Sequence, residues 1–435
     1  MTGRHDRTQS ANVRSGSLIE LFPDTAAVED GELVVGGVRA SALAREFGTP
    51  LVVYCRDTVL ARARAYARVD AEALVVYGTK AFPNVALLRL LAAEGLGADV
   101  STLGELEFAL RAGVPGDRLV CHGNNKSDRE LQAAAQAGAL VVLDALEEIA
   151  RAKQAGVETV LIRLTPGIEA ETHHAIRTAH VESKFGLAAD DAVAAVRDAA
   201  AAGLDVAGLH VHIGSQLVRT SESLLAVERL VDVAEHCRDE LGWTPRVFNL
   251  GGGVGVRQTL DDADPNPAAF AAELVQLLRT RWPRPARVIL EPGRSLVGQA
   301  GMTLYEVGVV KQTGGIAYAA VDGGMSDNPR PQLYGSRYEA LLANRADEPA
   351  AGTYRIAGKH CESGDVLIDA VELPEPRRND VLAVPVTGGY TLAMSSNYNG
   401  VPRPAAVLVG EGEVELIRRR ESVDDLLAYE PSIQR

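Results

Sequence analysis

The strongest constraint on how this chain folds is a regular alternation of short apolar segments with amphipathic ones between residues 73 and 290. The short segments have the length and composition of buried parallel strands. Several of the longer segments carry apolar residues at helical spacing and end at a glycine, as helices commonly do. The eight predicted strands are Ala73–Lys80, Gly97–Ser101, Leu119–Gly123, Leu140–Asp144, Thr159–Thr165, Gly208–Gly214, Val247–Leu250 and Val288–Leu290.

Eight strands alternating with helices over about 250 residues predict an α/β fold, a (β/α)8 TIM-like barrel. The alternative is an open doubly wound sheet. That fold usually carries a glycine-rich phosphate turn after its first strand, whereas the clearest glycine cluster here follows the seventh. The predicted helices are Val85–Ala93, Leu103–Ala112, Asp128–Ala137, Leu146–Gln154, Asp190–Ala202, Ser221–Leu241 and Pro267–Arg281.

After Arg294 the pattern changes to short strand-like segments between Gly, Pro and Asp turns, which predicts a second, mostly β domain. The β-like segments near the N-terminus are expected to join it, because chain termini often meet. The predicted domains are a disordered tail over 1–16, N-terminal β segments over 17–50 that pack with the C-terminal domain, the barrel over 51–299, and the β-rich domain over 300–435.

Composition limits the partners and the location of the chain. Its 44 Lys and Arg against 58 Asp and Glu give a formal net charge of −14, so nucleic acid is not an expected partner. No apolar run approaches the roughly 18 residues of a membrane span, and the N-terminal segment lacks the apolar core of a secretory signal. Four widely spaced cysteines without a CxxC pair predict reduced thiols and a cytoplasmic protein.

Side chains of reactive or ligand-binding types recur at the carboxyl ends of the predicted strands, which is the edge where barrel enzymes place their active sites. Each has a simple structural explanation as well, since most lysines are solvated and three glycines can form a plain turn. In chain order these residues are Lys80, Asp99 with Ser101, His122, Arg163, His210, His212 with Ser215, Gly251–Gly253 and Glu291–Arg294.

The glycine turn and the histidines suggest different parts of a ligand site. Three consecutive glycines let backbone N–H groups crowd an anion, and Ser215 and Arg294 on neighbouring strand ends add phosphate-binding side chains. His212 lies nearer the end of its strand and is the better candidate for contact with a ligand. His210 is as easily explained as a hydrogen-bonded core residue. No metal is predicted, because no carboxylate or third histidine stands at ligand spacing. Three further histidines follow the fifth strand in a polar segment and are equally well explained as solvated, namely His173, His174 and His180.

A lysine, an anion cradle, a flat histidine and a carboxylate at one edge suit pyridoxal 5′-phosphate. The lysine amine forms a Schiff base with the cofactor, and an acidic group on the pyridine nitrogen keeps the ring protonated as an electron sink. Glu291 is the candidate for that group, because a buried carboxylate must be paired or strongly shifted in its pKa.

The motifs that carry a family resemblance extend from about Leu33 to Leu427. They are YGTKAFPN (77–84), GADVSTLGEL (97–106), HGNNKS (122–127), HVHIGSQ (210–216), NLGGGVG (249–255), EPGRS (291–295), VDGGMSDNPRPQLYG (321–335), CESGD (361–365) and SSNYNGVPRP (395–404). With these motifs the chain resembles the diaminopimelate decarboxylases, within the fold-type III, alanine racemase-like pyridoxal-phosphate enzymes. It departs from the family pattern at Gly78–Phe82 and at Gly388–Tyr390.

The resemblance implies decarboxylation of meso-2,6-diaminopimelate to L-lysine and CO2 with pyridoxal 5′-phosphate. It implies that Lys80 binds the cofactor covalently, that His212 stacks on its ring and that Glu291 pairs with the pyridine nitrogen. The residues implied to hold the phosphate are Ser215, Gly252, Gly253, and the turn of Glu291, Pro292, Gly293 and Arg294.

The resemblance also implies roles at the substrate. Arg294, Arg330 and Tyr334 would bind the distal carboxylate, Glu362 the distal ammonium, and Tyr390 both cofactor and substrate. Cys361 would be the proton donor, making it catalytic together with Lys80 and His212. In the family the CESGD segment comes from the other subunit, so a homodimer with shared active sites is implied. Without the resemblance, Cys361 is more simply explained as a buried apolar thiol.

Two other functions stay open on the sequence. One is a fold-type III decarboxylase acting on another amino acid, or a racemase-like enzyme, although racemases of this fold lack the CESGD segment. The other is a non-catalytic cofactor-binding protein, which would be expected to have lost Cys361 or Arg330. Both residues are present.

Overall fold

The computed structural model describes residues 18–168 and 183–431, so the predicted tail over 1–16 and the segment with His173, His174 and His180 lie outside the described residues. Two compact units divide the described chain. The barrel unit comprises Leu60–Val256 and Asp264–Leu296, and the sheet unit comprises the chain up to Val59, Arg257–Ala263 and the chain from Val297. None of the helices in the described part combines the length and apolar composition that a bilayer crossing requires.

The sheet unit begins with a three-stranded antiparallel sheet, followed by a helix and a fully buried strand. These elements are β1 (Ala27–Glu29), β2 (Glu32–Val35), β3 (Val38–Arg39), α1 (Ala40–Phe47) and β4 (Leu51–Cys55).

Eight parallel strands of the barrel unit close on themselves, which confirms the predicted (β/α)8 barrel and excludes the open sheet. Apolar side chains from six of the strands form a buried cluster. The strands are β5 (Leu74–Gly78), β6 (Gly97–Val100), β7 (Leu119–Cys121), β8 (Leu140–Leu143), β9 (Thr159–Leu164), β10 (Asp205–Val211), β11 (Val247–Asn249) and β12 (Arg287–Leu290).

The helices of this region begin and end where local sequence signals place them. Ser127 forms a capping box with Glu130, and Gly113 and Gly138 adopt the left-handed backbone that ends a helix. The helices are α2 (Arg56–Ala67), α3 (Val85–Ala93), α4 (Leu103–Ala112), α5 (Asp128–Ala137), α6 (Glu148–Gln154), α7 (Ala189–Ala201), α8 (Ser221–Leu241), α9 (Pro267–Arg281) and the short α10 (Arg294–Val297).

The remaining elements confirm the predicted β-rich C-terminal region. The N-terminal strand β4 joins the sheet of this region. It pairs antiparallel with the first C-terminal strand, Gly301–Thr313, and parallel with the seventh, Ala405–Gly410. The strands are β13 (Gly301–Thr313), β14 (Ile316–Val321), β15 (Leu341–Leu342), β16 (Gly352–Ala357), β17 (Val366–Leu373), β18 (Val381–Val384), β19 (Ala405–Gly410) and β20 (Glu413–Arg418), with helices α11 (Arg330–Tyr334) and α12 (Val423–Leu427).

Candidate active site

Three polar side chains meet around Glu291, the residue that follows β12. His122 Nε2 lies 2.6 Å from Glu291 Oε1, and Asn249 Nδ2 donates to the same oxygen at 2.6 Å. His210 Nε2 lies 3.4 Å from the other oxygen, Oε2. All four side chains are buried. We call these four residues the carboxylate cluster.

The carboxylate cluster holds Glu291 in its ionised form. Burial acts to raise the pKa of Glu291, but His122 and His210 together outweigh it and hold this pKa well below its ordinary value. Because a carboxylate only accepts hydrogen bonds, His122 Nε2 is the donor in the short contact. Burial lowers the pKa of His210 to about 3, although the neighbouring Glu291 acts to raise it.

The carboxylate cluster also has the composition of a metal site, since ligand atoms of His122, His210 and Glu291 lie within 4.8 Å of one another. Hydrogen bonding accounts for the arrangement as it stands, because Glu291 Oε1 already accepts from two donors. The absence of a metal stays a prediction from the sequence.

Lys80 lies in a short 3-10 turn, Thr79–Ala81, directly after β5. The Thr79 hydroxyl donates to the carbonyl oxygen of Asp99 at 2.7 Å, which fixes the turn against β6. Lys80 Nζ lies 3.4 Å from the buried carboxylate oxygen Oδ2 of Asp99, while the lysine side chain keeps 48% of its exposure. The amine is therefore directed by a buried charge and is still accessible to a carbonyl ligand.

His212 is a neutral ring with one fixed edge. Its Nδ1 accepts a hydrogen bond from the backbone N–H of Gly252 at 3.2 Å, so the ring proton lies on Nε2. Burial, followed by the charges of Lys80 and Arg163, lowers the pKa of His212 well below its ordinary value. An uncharged imidazole oriented in this way suits stacking against a planar ring.

The glycine turn after β11 is too tightly packed for side chains. A Cβ atom at Gly252 would lie 2.0 Å from the carbonyl oxygen of Glu291, and one at Gly253 would lie 2.1 Å from that of Gly214. Arg294 Nη2 donates to Ser215 Oγ at 3.3 Å. Backbone N–H groups, a hydroxyl and a guanidinium are thus available for an anion.

The residues of the barrel unit fit pyridoxal 5′-phosphate. Lys80 offers an accessible amine, the glycine turn with Ser215 and Arg294 offers an anion site, His212 offers a flat neutral ring, and Glu291 offers an ionised acceptor for a protonated ring nitrogen. Asn249 is a residue of the carboxylate cluster that was not predicted from the sequence. Its signal was a polar residue ending the otherwise apolar strand β11.

Arg330 and Tyr334 lie together in the sheet unit, on the short helix α11. The Arg330 side chain is buried, with Nε donating to Tyr338 Oη at 3.1 Å and Nη2 to Ser336 Oγ at 3.0 Å. Its guanidinium carbon is 5.5 Å from the centre of the Tyr334 ring. Among residues 18–168 and 183–431, no carboxylate forms an ion pair with Arg330. A buried cation of this kind requires an anionic partner.

Cys361 and Glu362 are exposed in the turn between β16 and β17, whereas the other three cysteines are buried. The backbone N–H of Cys361 donates to Asn399 Oδ1 at 3.0 Å.

Tyr390 adopts a left-handed backbone, with φ of 61°. Strain of this kind costs a bulky residue about 1 kcal/mol or more and is concentrated at functional sites.

Asp327 is a buried carboxyl group of the sheet unit, and we expect its titration to change stability. Its Oδ1 accepts from the backbone N–H of Gly324 at 2.8 Å, and its Oδ2 accepts from the Tyr305 hydroxyl. Burial raises the pKa of Asp327 from 3.8 to about 7. Because the folded pKa exceeds the unfolded one, its stabilising contribution is complete below pH 3.8 and is lost as the pH rises through about 7.

We therefore expect the free energy of unfolding of the natural protein, relative to Asp327→Asn, to fall by roughly 1–4 kcal/mol between acidic and alkaline pH. The asparagine keeps an acceptor for Gly324 but cannot ionise. Urea unfolding from pH 4 to 8 measures this difference, with the exposed Asp369→Asn as the control. A difference that does not change with pH would show that Asp327 does not titrate in this range.

Comparison with known proteins gives one consistent family. The model for the pyridoxal binding domain of pyridoxal-dependent decarboxylases matches residues 56–298. Diaminopimelate decarboxylase of Bacillus subtilis is 42% identical over 421 residues, covering 92% of this chain and 95% of that protein. The Mycobacterium tuberculosis enzyme is 41% identical over 443 residues, covering 95% and 99%.

Solved structures agree with the sequence relatives. The diaminopimelate decarboxylase of M. jannaschii, also solved in complex with L-lysine, matches with a TM-score of 0.88 and 32% identity over 94% of this chain and 98% of that one. A lysine/ornithine decarboxylase of Vibrio vulnificus, 24% identical, shares the fold with a TM-score of 0.74. The expected resemblance is confirmed, and the chain belongs to the diaminopimelate decarboxylase family of pyridoxal-phosphate-dependent decarboxylases.

Proposed function

We propose that Lys80, Glu291, Arg330 and Cys361 carry the activity of this enzyme, the pyridoxal-phosphate-dependent decarboxylation of meso-2,6-diaminopimelate to L-lysine and CO2. The observation that carries the proposal is an ionised, hydrogen-bonded Glu291 at the same end of the barrel strands as an accessible Lys80. Family membership supports the reaction, and the geometry supports the assignment of residues to it.

In this proposal the barrel unit binds the cofactor. Bound pyridoxal phosphate supplies an electron sink for the charge left on the substrate carbon when CO2 departs. Lys80 would hold the cofactor covalently, and His212 would stack on its ring. Glu291 would accept a hydrogen bond from the N–H of the pyridine nitrogen and so keep that nitrogen protonated. The phosphate is held by Ser215, Gly252, Gly253 and the turn of Glu291, Pro292, Gly293 and Arg294.

The sheet unit, in this proposal, recognises the end of the substrate that does not react. That end carries a carboxylate and an ammonium group. Arg330 binds this carboxylate together with Arg294 and Tyr334. The Arg330 side chain is buried and is oriented by its hydrogen bonds to Tyr338 and Ser336. Glu362 pairs with the ammonium, and Tyr390 contacts both substrate and cofactor. An amino acid without a distal carboxylate would leave the Arg330 cation unpaired, which disfavours the alternative of another substrate.

Proton delivery is proposed for Cys361. The thiol donates its proton to the carbon that has lost CO2, and the resulting thiolate regains a proton from water. We further propose that the enzyme is a homodimer in which the turn with Cys361 and Glu362 completes the barrel site of the other subunit. All four cysteines are unpaired, which supports a reducing, cytoplasmic location.

Glu291→Gln tests the proposed site, because it removes the charge of the carboxylate cluster and nearly keeps its shape. We expect kcat for meso-diaminopimelate, measured by release of CO2 and lysine, to fall about 10²–10³-fold. The absorbance band of the cofactor bound to Lys80 should persist, since the covalent anchor remains. The exposed Glu147→Gln is the control.

A kcat of Glu291→Gln within about threefold of the natural enzyme would contradict the role of this residue. Assays with lysine, ornithine and arginine, run beside meso-diaminopimelate, test the substrate. Equal or faster CO2 release from one of these amino acids would support the alternative of a decarboxylase with another specificity.

A further inference from the structure

Three turns of the sheet unit are joined around the residues Cys361 and Glu362. The turns are 322–328, 358–365 and 396–400. Lys359 N donates to Gly323 O at 2.9 Å, which joins the first two, and Ser396 N donates to Ser326 O at 2.8 Å, which joins the first and the third. The hydrogen bond from Cys361 N to Asn399 Oδ1 joins the second and the third. We call this arrangement the three-turn cluster.

Asp365 is the buried centre of the three-turn cluster. Its Oδ1 accepts from Met325 N at 2.7 Å, and its Oδ2 accepts from His360 N at 2.9 Å and lies 2.7 Å from His360 Nδ1. A Cβ atom at Gly358 would lie 2.1 Å from this carboxylate, and one at Gly324 would lie 2.5 Å from it. The carboxylate therefore packs directly against the backbone of two turns and has little room to move.

His360 connects Asp365 to the third turn. Because Asp365 accepts from two backbone N–H groups as a carboxylate does, the His360 proton lies on Nδ1 and points to Asp365. The imidazole stacks on the Tyr398 ring, with centres 5.7 Å apart and planes 17° apart. Its Nε2 is buried without a hydrogen-bond partner among the described residues. Burying that nitrogen is unfavourable, so simple core packing does not explain a histidine here.

We propose that His360 and Asp365 are positioning residues of the active site, which fix the direction in which the turn presents the Cys361 thiol and the Glu362 carboxylate. The proposal rests on the roles proposed above for those two residues. Neither His360 nor Asp365 touches the substrate in it. Their effect on rate follows from geometry, because a displacement of about 1 Å at a reacting group can cost about 10²-fold in rate.

Two substitutions at His360 separate positioning from other roles. His360→Ala removes both the N–H donor to Asp365 and the ring that stacks on Tyr398. His360→Asn keeps a donor, because its amide nitrogen occupies nearly the place of Nδ1. Asp365→Asn removes the charge of the acceptor. It also replaces one accepting oxygen by an NH2 group that faces a backbone N–H, so this variant is expected to be less stable. The exposed Asp369→Asn on strand β17 is the matched control.

On cofactor-loaded enzyme with meso-diaminopimelate, we expect kcat of His360→Ala to fall about 10–100-fold and KM to rise. His360→Asn should recover most of kcat, and Asp369→Asn should match the natural enzyme. Hydrogen exchange should accelerate at the amides of Met325 and His360 in His360→Ala and in Asp365→Asn. A role in folding alone would instead lower the yield and the unfolding temperature of His360→Ala and leave kcat of its loaded fraction unchanged.

A kcat and KM of His360→Ala within about twofold of the natural values would overturn the proposal. Cys361→Ala distinguishes this failure from a failure of the proposed function. If Cys361→Ala keeps a natural kcat, the proton-donor role is wrong, and positioning can act only through Glu362. A raised KM of His360→Ala at unchanged kcat then supports the positioning proposal, whereas an unchanged KM overturns it.

Discussion

Lys80→Ala is expected to abolish the covalent link to the cofactor and the decarboxylase activity together. Lys80 is the accessible amine held at the end of β5 by the buried Asp99 carboxylate. Lys126, which also follows a barrel strand, does not replace it, because its buried amine donates to the carbonyl oxygens of Gly123 and Val142 and pairs with Glu148. We expect kcat to fall by roughly 10⁴-fold or more, with loss of the absorbance band that depends on the lysine.

Lys80→Arg is the matched control for this prediction. A guanidinium preserves the positive charge beside Asp99 but does not form the covalent link, so it should be as inactive as Lys80→Ala. Mass spectrometry after borohydride reduction should find the cofactor on Lys80 in the natural enzyme and on neither variant. An Arg variant with substantial activity would mean that the charge at this position matters and the amine does not.

The barrel and most of its site residues can be predicted from the sequence for a specific physical reason. Strands buried on both faces are continuous apolar runs, and in a barrel their carboxyl ends meet, so polar residues just beyond those runs are neighbours. Lys80, His212 and Glu291 are therefore predicted from the sequence to lie at one edge. The contacts between individual polar residues have no such signal. The contact between His122 and Glu291 joins positions 169 residues apart and depends on closure of the barrel.

Other contacts in the structure have no counterpart in the hydrophobic periodicity of the sequence. β4 is a fully buried apolar strand, but its partners β13 and β19 lie about 250 and 350 residues later, and tertiary packing alone selects them. His360 and Asp365 are only five positions apart, yet an aspartate in a turn is most simply a solvated residue. Their pairing depends on the fold, in which Gly324 and Gly358 enclose the Asp365 carboxylate.

Mixing two inactive variants tests whether subunits share active sites. If the turn with Cys361 acts in the barrel of the other subunit, a heterodimer of Lys80→Ala and Cys361→Ala contains one site with both defects and one site with none. Random exchange yields about half heterodimers, so the mixture should recover about a quarter of the natural activity per subunit. Activity is measured after exchange of subunits has been confirmed by mass spectrometry of intact dimers.

The matched control pairs two defects within one barrel unit, Lys80→Ala with Glu291→Gln. Both residues lie at the ends of strands of the same barrel, so every site of that heterodimer keeps one defect, and no gain beyond the residual activity of Glu291→Gln is expected. If Lys80→Ala with Cys361→Ala also gains nothing despite confirmed heterodimers, each subunit must use its own Cys361. Recovery in the first mixture and none in the control would assign Cys361 to the partner's site, because only a site built from two chains separates the two defects.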